Sequence, residues 1–337
     1  MNGMTTIEEV QLGAAGPAVG RIGLGGMGMS GSYGHADEQE SIATIHAALD
    51  VGVNVIDTGD FYAMGHNEML IGRALADRKR EDYLLSVKFG ALRGPDNNWG
   101  GTDARPEAVR NFLGYSLQRL GVDHIDVYRP ARLDPNVPIE DTIGAIAEMV
   151  QAGFVRHIGL SEVGADTLRR AAAVHPIADL QIEYSLISRG IEASILPTAR
   201  ELGTSITAYG VLSRGLLSDS LRGNRPFAAG DFRAFSPRFQ GENLATNLRL
   251  VDALAAIADS RGKSVAQLAI AWVLAQGRDI VPVIGARRRD RLTEAIGALD
   301  ITLSPDELAA IEAAVPADQV AGERYAPAQM AMLDSES

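Results

Sequence analysis

The chain contains no cysteine. Disulfides, thiolate metal ligands and a cysteine nucleophile are thereby excluded, and nothing calls for an oxidising compartment. Basic residues are in deficit, 31 Lys and Arg against 43 Asp and Glu, for a formal net charge of -12. That balance argues against non-specific attachment to nucleic acid or an anionic membrane, while leaving room for a local basic site that binds phosphate. No stretch approaches the roughly 20 apolar residues of a membrane span, and Met1 to Val10 lack a basic segment followed by an apolar core. The expectation is a cytoplasmic protein with neither nucleic acid nor membrane as partner. No cluster of metal-ligating residues stands out either.

What is present is an ordinary globular composition, 46% hydrophobic and 22% charged over 337 residues, enough for a large core. Short β-branched runs recur at Arg21-Gly25, Val53-Asp57, Tyr83-Lys88, Ile125-Tyr128, Val155-Leu160, Asp179-Ile182, Ser205-Tyr209 and Ile280-Ile284. Between them, helical periodicity covers Asp37-Leu49, Glu68-Asp77, Pro106-Leu120, Ile139-Ala152, Ala165-Ala173, Glu192-Leu202, Asn247-Arg261 and Ala266-Leu274. Eight strand–helix units without a linker or a shift in composition predict one α/β domain over 1–337, a (β/α)8 TIM barrel. Ile7-Val19 reads as an N-terminal β-hairpin, and Ser213-Glu242 as a long covering loop of functional origin.

Gly23-Leu-Gly25-Gly-Met-Gly28 matches the G-x-G-x-x-G fingerprint in letters only. That fingerprint needs a helix to open at once, whereas Met29-Ser-Gly-Ser-Tyr-Gly-His35 is turn-rich. Asp57 and Tyr62 follow the second strand and Lys88 closes the third, all at the barrel end where active sites are built. A lysine ending an apolar strand demands a carboxylate partner. Its charge is expected to lower the Tyr62 pKa, so the trio reads as a proton donor and acceptor. Arg287-Arg-Arg289 and Arg291 open a helix after the last strand, a place suited to a phosphate.

Several segments in order resemble the aldo-keto reductase superfamily: Asn54-Val-Ile-Asp-Thr-Gly-Asp-Phe-Tyr62, Gly65-His-Asn-Glu68, Ser86-Val-Lys-Phe-Gly90, Val155-Arg-His-Ile-Gly-Leu-Ser161, Gln181-Ile-Glu-Tyr184, Ala208-Tyr-Gly-Val-Leu-Ser-Arg-Gly215 and Pro282-Val-Ile-Gly-Ala-Arg287. The resemblance implies interconversion of a carbonyl, aldehyde or ketone, with an alcohol, Tyr62 being the general acid/base and Asp57 and Lys88 tuning it. It departs at Ala131, where the family usually has histidine. Pyridoxal-reductase-like branches share that alanine, and His66, His124 and His157 all read as structural.

The resemblance also implies a nicotinamide dinucleotide, NADP(H) preferred and NAD(H) possible. Gly26, Met27 and Asp57 would lie near it, Ser161 and Gln181 on its carboxamide, and Tyr209 beneath the ring. Glu162 replaces a common asparagine. Gly210, Val211, Leu212, Ser213, Arg214 and Leu216 would hold the pyrophosphate, with Ile284, Gly285 and Ala286 nearby. Arg287 would take the 2′-phosphate, and Arg291 and Glu294 the adenine and its ribose. Position alone nominates Met29, Phe61, Tyr62, Phe89, Trp99, Arg129 and Arg132, with Arg324-Tyr325, as a substrate pocket in a monomer or homo-oligomer. Two other readings share the fold: a nucleotide-sensing module resembling potassium-channel β-subunits, with little turnover, and a phosphate-binding isomerase or aldolase barrel.

Overall fold

The computed structural model describes residues 7–96, 98–218, 227 and 231–336. An antiparallel hairpin of β1 (Glu9–Gln11) and β2 (Ala18–Gly20) comes first. The barrel begins with β3 (Gly23–Gly25), β4 (Val55–Gly59) and β5 (Leu84–Phe89). A second hairpin, β6 (Ala91–Arg93) with β7 (Trp99–Thr102), stands on the rim after β5. The remaining barrel strands are β8 (Ile125–Pro130), β9 (Val155–Ser161), β10 (Ile177–Glu183), β11 (Ser205–Tyr209) and β12 (Ile280–Ile284). All eight pair in parallel, and β12 closes on β3, so the fold is a (β/α)8 barrel.

The surrounding helices are α1 (Glu38–Asp50), α2 (His66–Leu75), α3 (Pro106–Leu120), α4 (Ile139–Gln151), α5 (Ala165–Val174), α6 (Ile195–Glu201), α7 (Gly241–Ser260), α8 (Val265–Ala275), α9 (Arg289–Ile296) and α10 (Pro305–Ala314). Their ends follow local chemistry. Asp37 caps α1 by accepting from the Glu40 amide, Pro106 opens α3, and Gly121 ends α3 in the left-handed region. Ser264 with Gln267, and Ser304 with Glu307, form capping boxes on α8 and α10. Beyond Gly28 there is only a 3-10 turn, Met27–Ser30, before α1 opens, so no helix faces a ligand from the glycine run.

Inside the barrel the lower layer is apolar. Val55, Val127 and Val281 pack there against Val10, Leu12 and Val19 of the first hairpin, which plugs that end. Above it the interior turns polar, with Asp57, Ser86, Lys88, Arg129, Asp179, Gln181 and Thr207 all buried. On the rim, the polar run around Asp96 and Trp99 belongs to the β6–β7 hairpin, and Asn97 lies outside the described residues. Of the covering loop, Ser213–Gly215, Phe232–Phe235 and Pro237–Phe239 are 3-10 turns; residues 219–226 and 228–230 lie outside the described residues.

Candidate active site

Strand register places the first group of side chains. Asp57 sits opposite Ser86, and Gly59 opposite Lys88, so the carboxylate and the ammonium both enter the barrel at its C-terminal end. Lys88 Nζ lies 2.5 Å from Asp57 Oδ1. Asp57 Oδ2 accepts from Ser86 Oγ at 2.8 Å and from Gln181 Nε2 at 2.7 Å. Tyr62 begins a short turn in which Ala63 and Met64 take left-handed backbone, φ 47 and 57. That turn carries the Tyr62 ring to 5.1 Å from Lys88 Nζ.

The electrostatics differ from the expectation for the phenol. Burial, reinforced by the Asp57 carboxylate, pushes the Tyr62 pKa well above its ordinary value rather than lowering it. The ammonium does not reverse this because Asp57 already neutralises it in direct contact. Lys88 itself is pulled down by burial, against the upward pull of Asp57.

The C-terminal segment supplies a second group that sequence reasoning named only by position. Arg324 grips Glu162 with two donors, and Tyr325 Oη lies 2.9 Å from Tyr209 Oη. Tyr209 also donates to Glu162 Oε1 at 2.7 Å, and the Glu183 amide donates there at 3.0 Å. Burial works to raise the Glu162 pKa, yet Arg324 holds it at about 2. Past Tyr209 the chain turns through Gly210, Val211 and Leu212 into Ser213 and Arg214, both at positive φ, then Leu216. Arg214 reaches Glu183 at 3.3 Å and lies over the Tyr325 ring. The hydroxyls of Ser161 and Ser213 are buried without a hydrogen-bond partner among the described residues.

The arginine cluster divides. After Ile284, Gly285 and Ala286, Arg287 donates to the carbonyls of Tyr33 and Gly34, at 3.2 and 3.1 Å. It makes no ion pair among the described residues. Arg288 pairs with Asp290, Arg289 with Glu40, and Arg291 with Glu294 at 2.8 Å. Arg233, which the sequence reading passed over, comes from the covering segment, paired with Asp231 and lying over the rings of Tyr33 and Phe227.

Of the residues nominated for substrate, three gather beside or near Tyr62. Phe61 stands edge-on to it at 4.8 Å, Trp99 lies 6.4 Å from Phe61, and Arg132, bonded to the Ala131 carbonyl, is within electrostatic reach of the phenol. The structure puts Phe89, Met29 and Arg129 elsewhere. Phe89 stacks on Tyr128 at 4.3 Å, against α3, because it points outward from β5. Met29 is sealed in the core. Arg129 turns down into the barrel toward Asp179. Gly26, whose amide donates to the Asp57 carbonyl, has no room for a side chain, since a Cβ would come within 2.8 Å of Asn67 Oδ1; Met27 follows it into the 3-10 turn.

The sequence model of the aldo/keto reductase family matches residues 21–316. The chain belongs to that family. A soybean (Glycine max) relative described as probable aldo-keto reductase 1 is 42% identical over 322 residues, spanning 95% of this chain and 92% of the relative. Among solved structures, a glycerol dehydrogenase from Gluconobacter oxydans superposes with a TM-score of 0.82 at 30% identity, over 93% of this chain and 95% of that one. An aldo-keto reductase from Bacillus halodurans gives 0.75 at 28% identity, over 92% and 97%.

Membership makes this chain an oxidoreductase of carbonyl and alcohol groups, of a family that uses nicotinamide cofactors. The residues present fit such a group. Among the described residues the buried hydroxyls of Ser161 and Ser213 have no partner and the half-buried guanidinium of Arg287 has only carbonyl partners, groups that a polar, phosphate-bearing ligand would satisfy. Among the described residues no group of His, Asp or Glu is placed to hold a metal ion, and no helix is long and apolar enough to cross a membrane. At position 131 this aldo-keto reductase has a buried alanine whose amide donates to the Phe89 carbonyl.

Proposed function

We propose that the chain is an NADPH-preferring reductase of an aldehyde or ketone, with Tyr62 as the general acid/base and Asp57 and Lys88 as its supporting pair. The observation that carries this reading is the Lys88–Asp57 ion pair set against the Tyr62 ring at the C-terminal mouth of the barrel. When bound, the nicotinamide supplies or accepts the hydride. Tyr62, its phenol kept protonated by burial, donates a hydrogen bond to the substrate oxygen and gives up its proton as that oxygen gains charge. Lys88 stabilises the negative charge left on the phenol, and Asp57 holds Lys88 in place. In the reverse direction the same atoms take the proton back.

Ser161 and Gln181 would hold the carboxamide; Gln181 gives one N–H to Asp57 and keeps its oxygen and its second N–H for the ligand. Tyr209 would stack on the nicotinamide, Gly26 and Met27 would let the backbone approach it, and Gly210 to Leu216 would hold the pyrophosphate. Arg287, with Ile284 to Ala286 leading to it, would bind the 2′-phosphate, and the Arg291–Glu294 pair would border the adenosine. Glu162 is saturated by Arg324, Tyr209 and the Glu183 amide, so it anchors the C-terminal segment instead of touching the cofactor. Phe61, Trp99 and Arg132 border the substrate, which favours a ring-bearing carbonyl compound. We place the enzyme in the cytoplasm, where NADPH is available.

The test is a fluorescence titration with NADPH and NADH, followed by nicotinamide absorbance with a panel of aldehydes, ketones and alcohols. Tighter NADPH binding with turnover supports the reading. Binding without turnover would favour a nucleotide-sensing module, and absence of binding would overturn both.

A further inference from the structure

Beside Lys88 and Asp57 lies a second buried ion pair, Arg129 being the register partner of Lys88. Arg129 on β8 and Asp179 on β10 are both fully enclosed, with Nη2 of the arginine 3.0 Å from Oδ2 of the aspartate. The Thr207 hydroxyl also donates to that aspartate. The same Arg129 Nη2 donates to Ser86 Oγ at 2.8 Å, and Ser86 Oγ donates to Asp57 Oδ2 at 2.8 Å. A continuous chain therefore runs from Asp179 through Arg129, Ser86 and Asp57 to Lys88, across four strands. Gly159 of β9 makes the space for it: a Cβ there would stand 2.4 Å from Asp179 Oδ1 and 3.0 Å from Arg129 Nε.

As a device for stability alone the pair is a poor one. Barrel interiors are ordinarily filled by branched aliphatic side chains, and replacing a buried ion pair by apolar residues is often neutral or stabilising. Here it also leaves Arg129 Nε and Nη1 and Asp179 Oδ1 without partners. Its connection to Ser86 is more specific. A guanidinium has donors only, so the Ser86 hydroxyl, receiving from Arg129, has its single proton for Asp57. Without a donor at position 129 that hydroxyl is free to turn away, and Asp57 loses one of the two side-chain donors on Oδ2.

The geometry points to Arg129 as a positioning residue of the proton-transfer site: by donating to Ser86 it sets the direction of the Ser86–Asp57 hydrogen bond, and with it the seat of Asp57 against Lys88. This rests on the reading of Tyr62, Asp57 and Lys88 given above and deepens it. The ionisable groups around the chain are Asp57 on β4, Lys88 on β5, Arg129 on β8 and Asp179 on β10; Arg129 and, beyond the end of β8, Arg132 both lower Lys88, and Asp179 raises His157 on β9.

The test compares wild type, Ser86→Ala, the paired variant Arg129→Met/Asp179→Leu, which leaves no unpaired charge, and the triple combination. Circular dichroism and thermal melting report that each folds. The paired variant and Ser86→Ala should each lower kcat about tenfold with NADPH affinity and KM nearly unchanged, and the triple variant should be no worse than either, because the two act along one path. The chain has only three lysines, Lys79, Lys88 and Lys263, so 13C labelling at lysine Cε follows the Lys88 titration directly. Its midpoint should rise together in Ser86→Ala and in the paired variant, since Asp57 then keeps more charge for Lys88. Unchanged kcat in the paired variant, additive losses, or an unmoved Lys88 midpoint would each overturn the inference. Absence of carbonyl turnover in wild type would instead strike the catalytic reading, and the Lys88 titration would still decide the role of Arg129.

Discussion

The guanidinium of Arg324 closes on the carboxylate of Glu162 through two hydrogen bonds, 2.9 and 2.6 Å long, with both groups buried. Glu162 follows β9, whereas Arg324 belongs to the C-terminal segment, so the pair ties that segment across the barrel mouth. Ser335 donates to the same carboxylate at 2.8 Å, and Arg324 reaches Glu336 at 2.6 Å. Glu162 does this from left-handed backbone, φ 55, a conformation that the surrounding contacts must stabilise.

Glu162→Gln tests this clasp through pH. The folded-state pKa is depressed from an ordinary 4.5 to about 2, so the stability it confers is fully present above pH 4.5 and is lost as pH falls toward 2. The variant should melt well below wild type at pH 7, a partner lost from a buried pair costing about 3–5 kcal/mol. The gap should narrow on acidification. A gap independent of pH would show that the charge is not what stabilises the segment.

Asp60 predicts the opposite sign. Burial first, then the Glu68 charge, raises its pKa from 3.8 to about 7, and its Oδ1 has no hydrogen-bond partner among the described residues. The folded state thus favours the protonated form, a contribution that is whole below pH 3.8 and disappears as pH rises through 7. Asp60→Asn should raise the melting temperature at pH 8 and have little effect near pH 4. Equal effects at both would contradict the shift.

Arg287→Ala should weaken NADPH binding by about tenfold or more, the scale of a charge-assisted contact to phosphate, while leaving NADH binding nearly unchanged. Equal losses for the two nucleotides would assign Arg287 to the shape of the site rather than to the 2′-phosphate.

Asp57→Asn and Lys88→Met should each lower kcat by about 100-fold with a smaller change in NADPH affinity, read by steady-state kinetics beside a binding titration. A loss confined to binding would move both residues out of the chemistry.

Much of the fold was legible because strands such as Ser205–Tyr209 and Ile280–Ile284 are β-branched runs bounded by turns, and α3 begins at a proline and ends before a glycine. The ends of β8 and β10 were less so, since Arg129, Pro130 and Glu183 do not look like strand residues until the barrel pairs them. Helix α10 carried an overlooked signal, Ser304-Pro-Asp-Glu307, a capping box in letters. Asp57, Tyr62 and Lys88 could be named because strand ends meet at one face of a barrel. The directions of Phe89 and Arg129 could not, because one step along a strand reverses which side a residue faces, and no local pattern fixes that parity in a strand buried on both sides. The Glu162–Arg324 contact spans 162 positions with no periodicity to announce it.

The most direct test of the central claim is a single-turnover experiment on Tyr62→Phe, with NADPH prebound and a carbonyl substrate found with wild type. The account predicts NADPH affinity within about threefold of wild type and a rate of nicotinamide oxidation lower by about 100-fold or more. A Tyr62→Phe protein that reduces the carbonyl at the wild-type rate would contradict it.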